Sequence, residues 1–103
     1  MGCFLVRGKS MQPYLRDGDL VLTRRRRGRP RPGDVMVYRP ERLPFAVVHR
    51  VVEADRDDVV LRGDANSGSD PEKVSSGRVL GQVWCVLPQA GRLLSLLRKI
   101  KLP

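Results

Sequence analysis

The stretch "FAVVHRVVEADRDDVVLR", residues 45–62, decides how the rest of the chain is read. Its β-branched valines crowd a helix but fit a pleated strand. The aspartates of "ADRDD" interrupt the apolar run with residues that close turns on their own backbone. The segment therefore reads as a hairpin, with strands over 45–54 and 58–62 and a turn over 55–58. Strand alternation places Val47, His49 and Val51 on one face and Val48, Arg50 and Val52 on the other.

Outward from this hairpin the same grammar repeats. Short runs rich in valine and leucine, punctuated by Gly, Pro and Asp, predict further strands over 3–7, 20–23, 34–38 and 79–87. Between the second and third lies "RRRRGRPRPGD", whose prolines and glycines predict a loop. Six strands in 103 residues predict an all-β fold, a small curled sheet or partly closed barrel. The tail departs from this pattern. In "QAGRLLSLLRKIKL", residues 89–102, Leu93, Leu94, Leu96, Leu97 and Ile100 recur at helical spacing among Arg92, Arg98, Lys99 and Lys101. A short, basic, amphipathic C-terminal helix is expected, either packed back on the sheet or lying on anionic lipid or a partner. Ala90-Gly91 reads as a linker ahead of it. The chain divides accordingly into a core over 1–88 and a tail over 89–103.

Composition narrows the function. The length suits one domain with a modest core. No window approaches the roughly eighteen consecutive apolar residues of a membrane-spanning helix. With no export signal, the cytoplasm is the default location, with peripheral membrane contact through the tail. A net charge of +9 makes nucleic acid a candidate partner, but aromatics are only 5% of the chain, too few for base-stacking platforms, so that class ranks low. Cys3 and Cys85 lie far apart without metal-ligand spacing, and there is a single histidine, so no metal and no organic cofactor are expected. The two cysteines read as free thiols, or as a disulfide if the terminal strands pair.

The residues able to do chemistry are few. His49 stands on a valine face, where each ring nitrogen needs a partner. Taken alone it reads as a core histidine bonded to a backbone carbonyl. Asp64 and Asp70 stand six apart in "GDANSGSD", where turn chemistry explains both, Asp64 more readily. Ser10 lies just past the first strand, in "RGKSMQPYLRDGD". The order Ser10, His49, Asp70 is one of several in which a serine, imidazole and carboxylate can form a catalytic site.

Four segments in order, "GKSMQPYLRDGDLVL", "RPGDVMVYR", "VVHRVV" and "GDANSGSD", resemble the successive sequence boxes of the type I signal peptidase family. The first, Ser-Met-x-Pro followed by Gly-Asp, is the most specific, and "GRVLGQVW" fits the closing strand. Histidine at position 49, where the bacterial branch carries lysine, makes the chain similar to the archaeal and endoplasmic-reticulum branch. It resembles a compact member without a transmembrane anchor, since only nine residues precede Ser10. The resemblance implies a serine endopeptidase that cuts leader or precursor peptides after small residues. Ser10 would be the nucleophile, His49 the general base and then acid, Asp70 the carboxylate orienting the imidazole, and Asp64 a supporting residue. Lys9 adjoins Ser10 and points away from it in an extended chain, and Lys73 lies in the late loop, so neither replaces His49 as base. Peptide substrate is expected along the segment entering Ser10 and the turn after it, at Gly8, Met11 and Pro13. Gly8 offers no hydroxyl to an oxyanion, leaving that task to backbone N–H groups such as that of Ser10. The competing reading is an inactive peptide-binding module, or a basic surface for nucleic acid or membrane, on the same fold.

Overall fold

A computed structural model describes residues 1–25, 28–70 and 73–98. Seven strands run in chain order as β1 (Gly2–Leu5), β2 (Leu20–Arg24), β3 (Val35–Tyr38), β4 (Val47–Ala54), β5 (Asp58–Arg62), β6 (Val74–Ser75) and β7 (Val79–Leu87). A 3₁₀ turn, Ser76–Arg78, precedes β7, and helix α1 (Ala90–Arg98) follows it. All seven strands form one antiparallel sheet in the order β1-β2-β7-β3-β4-β5-β6. The all-β expectation holds.

The β4–β5 hairpin forms as its sequence dictates. Asp55 Oδ1 accepts the backbone N–H groups of Asp57 at 3.1 Å and Asp58 at 3.0 Å, closing the turn. Those bonds, that of Asp58 first, hold the Asp55 carboxyl below its ordinary pKa. Register shifts at Leu22/Thr23, Val37/Tyr38 and Val51/Glu53 bend three ladders. Each bulge adds local twist, and together they curl the sheet into a half-barrel.

The curl encloses β3 from both sides. Val35 and Val37 join a core cluster with Val6, Met11, Leu15, Val21 and Val83. Met36 and Tyr38 point the other way, into a second cluster with Val51, Val59, Leu61 and Val74. All four β3 residues are therefore buried.

The sequence predicts six strands and the structure has a seventh: β6 is only two residues long, and Val74 is held there by its pairing with Val59 and its burial. Cys3 and Cys85 both pair with Leu22, so β2 lies between them and they are free thiols as expected, but not buried ones: Cys3 is exposed and Cys85 partly buried. Ala90-Gly91 is not a linker but the first turn of α1. Gly91 is buried, its N–H donates to Gly18 O at 2.9 Å, and a Cβ there would collide with a Leu5 methyl. Beyond that turn α1 does not pack back on the sheet: Leu93, Leu94, Leu96 and Leu97 are each about half exposed. Residues 99–103 of the expected helix lie outside the described residues, as do Arg26 and Arg27 of the basic loop.

Asp19 joins the tail to the β1–β2 connection. Buried at 4% exposure, it accepts the Arg16 N–H at 2.8 Å through Oδ2. Its Oδ1 accepts the Gln89 N–H at 2.9 Å and the Gln89 side-chain amide at 2.8 Å. Burial pushes the carboxyl up, but the N–H groups of Arg16 and Gln89 together outweigh it and leave the pKa lowered. A folded pKa below the unfolded value gives stability that is complete above about pH 4 and is lost as pH falls through the folded value. Asp19→Asn should therefore cost about 1–3 kcal/mol in urea unfolding at neutral pH. Its deficit against the parent should shrink as the pH falls into that acid range.

Candidate active site

Ser10 is delivered by a reversal of the chain. After β1, Val6 keeps ladder bonds with Asp19 and Gly18. Gly8 then takes a φ of +87°, a left-handed geometry that favours glycine, and its N–H donates to Asp17 Oδ1 at 2.8 Å. The turn at 10–14 closes with Leu15 N–H donating to Met11 O at 2.9 Å. Met11, 1% exposed, anchors the turn in the first core cluster, and its Sδ accepts the Asp64 N–H at 3.4 Å.

His49 arrives from β4 and Asp70 from the loop after β5. The imidazole is buried, on the same face of the sheet as Met36, its partner on β3. His49 Nε2 lies 3.2 Å from Ser10 Oγ, and Nδ1 lies 2.7 Å from Asp70 Oδ2. A carboxylate has only lone pairs to offer, so the proton on that side belongs to Nδ1. Nε2 is then left to accept from the serine hydroxyl. Asp70 is itself set by its N–H, which donates to Leu61 O at 2.7 Å.

A glycine lets these parts meet. A Cβ on Gly63 would lie 2.6 Å from Ser10 O, 2.8 Å from Asn66 Nδ2 and 3.1 Å from His49 Nε2. The first contact is with backbone and cannot yield easily. It shields a tight crossing, where Ala65 N–H donates to Ser10 O at 2.9 Å.

Asp64, expected as a supporting residue, bonds to Arg50 rather than to Ser10, His49 or Asp70. His49 and Arg50 are strand neighbours and point to opposite faces, and Asp64 goes with Arg50. Its two oxygens accept from Arg50 Nε at 2.8 Å and Nη2 at 2.9 Å. These bonds to Arg50 hold the Asp64 carboxyl below its ordinary pKa and push the guanidinium up. Arg50 also donates to Gly33 O at 2.9 Å and sits 5.1 Å from the centre of the Tyr14 ring. The pair braces the Ser10 turn and the 63–70 loop against β4.

Sequence reading missed Tyr38. Its hydroxyl donates to Asp70 Oδ2 at 2.5 Å and lies 3.3 Å from His49 Nδ1. The signal was available in "VMVY": a tyrosine ending a strand buried on both faces needs a partner for its hydroxyl.

Ser10 and His49 open on a groove of about 650 Å³, walled by Leu5 and Val6 on one side and by Phe45, Ala46 and Val47 on the other. The residues expected to line the substrate path are not gathered there. Met11 is core, its side chain withdrawn into the first cluster. Gly8 and Pro13 border a second hollow of about 770 Å³, because the Ser10 turn separates the two spaces.

The family model described as Peptidase S24-like matches residues 1–84. The chain belongs to that peptidase family. It is also 32% identical over 95 residues to the signal peptidase complex catalytic subunit SEC11 of Saccharomyces cerevisiae strains YJM789, RM11-1a and JAY291. The match covers 80% of this chain and 57% of each yeast protein, so the chain spans little more than half the length of these relatives. The resemblance to signal peptidases is borne out.

The close approach at Gly63 carries a prediction. Gly63→Ala should push the Ser10 turn away from β4 and lower any Ser10-dependent peptidase rate by about a hundredfold, the effect expected of an ångström-scale misplacement. Circular dichroism and a peptide-cleavage assay on the same preparation separate this from unfolding.

Proposed function

We propose that this chain is a serine endopeptidase of signal-peptidase type. The observation that carries the reading is the bonded line from Asp70 through His49 to Ser10, ending at the mouth of a groove wide enough for an extended peptide. Kinship with SEC11 supports the class of reaction.

The chemistry follows from that line. As Ser10 Oγ bonds to the scissile carbonyl carbon, its proton passes to His49 Nε2, and Asp70 stabilises the imidazolium through Nδ1. Negative charge moves to the carbonyl oxygen, for which the Ser10 backbone N–H is the donor this reading assigns. The carbon–nitrogen bond then breaks, and Nε2 returns the proton to the leaving amine. Water, relieved of a proton by His49, cleaves the resulting ester and restores Ser10. The β1 continuation and the segment leading into β4 offer two backbone edges along which a peptide could add as a strand. Small residues flanking the cut, alanine above all, are the specificity the family resemblance implies, and precursor proteins the substrate class.

The test is cleavage of an Ala-x-Ala peptide library read by mass spectrometry. Ser10→Ala and His49→Ala should each lower the rate on the order of 10⁴-fold or more while leaving thermal unfolding in place. The parent rate should rise with pH as the base loses its proton, then level off without climbing again where lysines titrate. Folded protein that binds the peptides without cutting them would favour the inactive peptide-binding module.

A peripheral membrane role for α1 belongs to the same reading. Among the described residues no helix is long and apolar enough to cross a membrane. The helix instead leaves four leucines about half exposed, beside Arg92. Exposed leucines on a sequence rich in Arg and Lys are the pattern of a helix lying in an anionic interface. Sedimentation with anionic vesicles should retain the protein and neutral vesicles should not. Leu93→Ser with Leu97→Ser should weaken retention about tenfold or more, since each leucine side chain withdrawn from water is worth ~1.5 kcal/mol or more.

A further inference from the structure

We propose that Tyr38 is a positioning residue that sets the basicity of His49 through Asp70. This inference rests on the peptidase reading for its purpose, but its geometry stands apart from turnover. One oxygen, Asp70 Oδ2, accepts from two donors, the Tyr38 hydroxyl at 2.5 Å and His49 Nδ1 at 2.7 Å. Both donors come from the buried side: Tyr38 is 2% exposed and His49 7%. Water therefore competes poorly for that oxygen, and its charge is shared between a phenol and an imidazole.

The sharing has a direction. The charge on Oδ2 that the phenol hydroxyl neutralises is withdrawn from the imidazolium. Tyr38 thus competes with His49 for the charge of Asp70 Oδ2. The hydroxyl also fixes the position of Oδ2, which fixes the ring orientation and presents Nε2 to Ser10. The 3.3 Å approach of the hydroxyl to Nδ1 gives no competing bond in this arrangement, because Nδ1 and the hydroxyl both point protons at the carboxylate.

Other charged groups near the imidazole come from several segments, and Arg7 and Arg42 line the groove beside it. Asp64, in the 63–70 loop, is close enough to interact with His49 electrostatically, but its charge is taken up by Arg50 from the far face of β4. Arg62, at the end of β5, pairs with Arg50 across the ladder and so lies on that far face. Lys9 adjoins Ser10 in the turn. The side chains bonded to Asp70 Oδ2 are those of Tyr38 and His49.

The experiment uses the fact that His49 is the only histidine in the chain, so its ring resonances titrate without overlap in NMR. Tyr38→Phe removes the hydroxyl and little volume. The His49 midpoint should rise by about half a pH unit or more, as the carboxylate turns its charge to the imidazolium. The acid limb of kcat/KM should move up by the same amount, with kcat falling more than KM changes. An isosteric second arm covers the case in which Tyr38→Phe fails to fold. With Tyr14→Phe as the background, 3-fluorotyrosine at position 38 supplies a stronger donor and should move the midpoint down.

Opposite shifts in the two arms support the proposal. An unchanged midpoint in either folded protein, or a fall in Tyr38→Phe, overturns it. The NMR titration needs no turnover, so a parent protein that cleaves nothing would sink the peptidase reading and leave the Tyr38 result to be read separately.

Discussion

The backbone bond from Ala65 N–H to Ser10 O is the contact on which the geometry of the site depends. It joins two segments 55 positions apart in the chain, the turn that presents the serine and the loop that carries Asp70. Neither segment is a regular element, and each would otherwise be free to drift. The bond is possible because Gly63 has no side chain at the crossing, where a methyl group would meet a carbonyl oxygen at 2.6 Å. Once the loop is seated there, Asp70 can reach His49, and Met11 can reach the Asp64 N–H from below.

Strand β4 then distributes tasks by parity. His49 faces the catalytic line, and its neighbour Arg50 faces the brace of Asp64, Gly33 O and Tyr14. The strand can serve both because β3 and β5 flank it on either side and the sheet curls around β3. The carboxylates divide in the same way. Asp19 and Asp64 are held below their ordinary pKa by bonds that organise the fold. Asp70 is bonded instead to a phenol and an imidazole, groups that can respond to a proton arriving at the ring.

These arrangements explain which parts could be read in advance. The β4–β5 hairpin was legible because alternation and an aspartate-closed turn are local signals, and the structure repeats them nearly residue for residue. Ser10, His49 and Asp70 could be picked out as residue types, and the structure brings them to one place. Asp64 could not be told from Asp70 by spacing, since the choice depends on which face of β4 each loop residue meets. Met11 was misplaced for a related reason: it follows the serine in sequence, but a turn sends successive side chains to different sides, and the thioether goes to the core. Strand β6 carries no pattern of its own. Val74 is a strand residue only because Val59 offers it an edge.

The exposed leucines of α1 belong to the same physical account. A curled sheet with two interior clusters has already covered its apolar residues on β3 from both faces, leaving no open interior face for a helix to fill. The chain therefore fastens only the first turn of α1, through Gln89 on Asp19 and Gly91 on Gly18. What is fixed is the point of departure, next to the β1–β2 connection that also shapes the Ser10 turn through Asp17 and Gly8. The turn holding the serine and the root of the helix thus share one support, the β1–β2 connection.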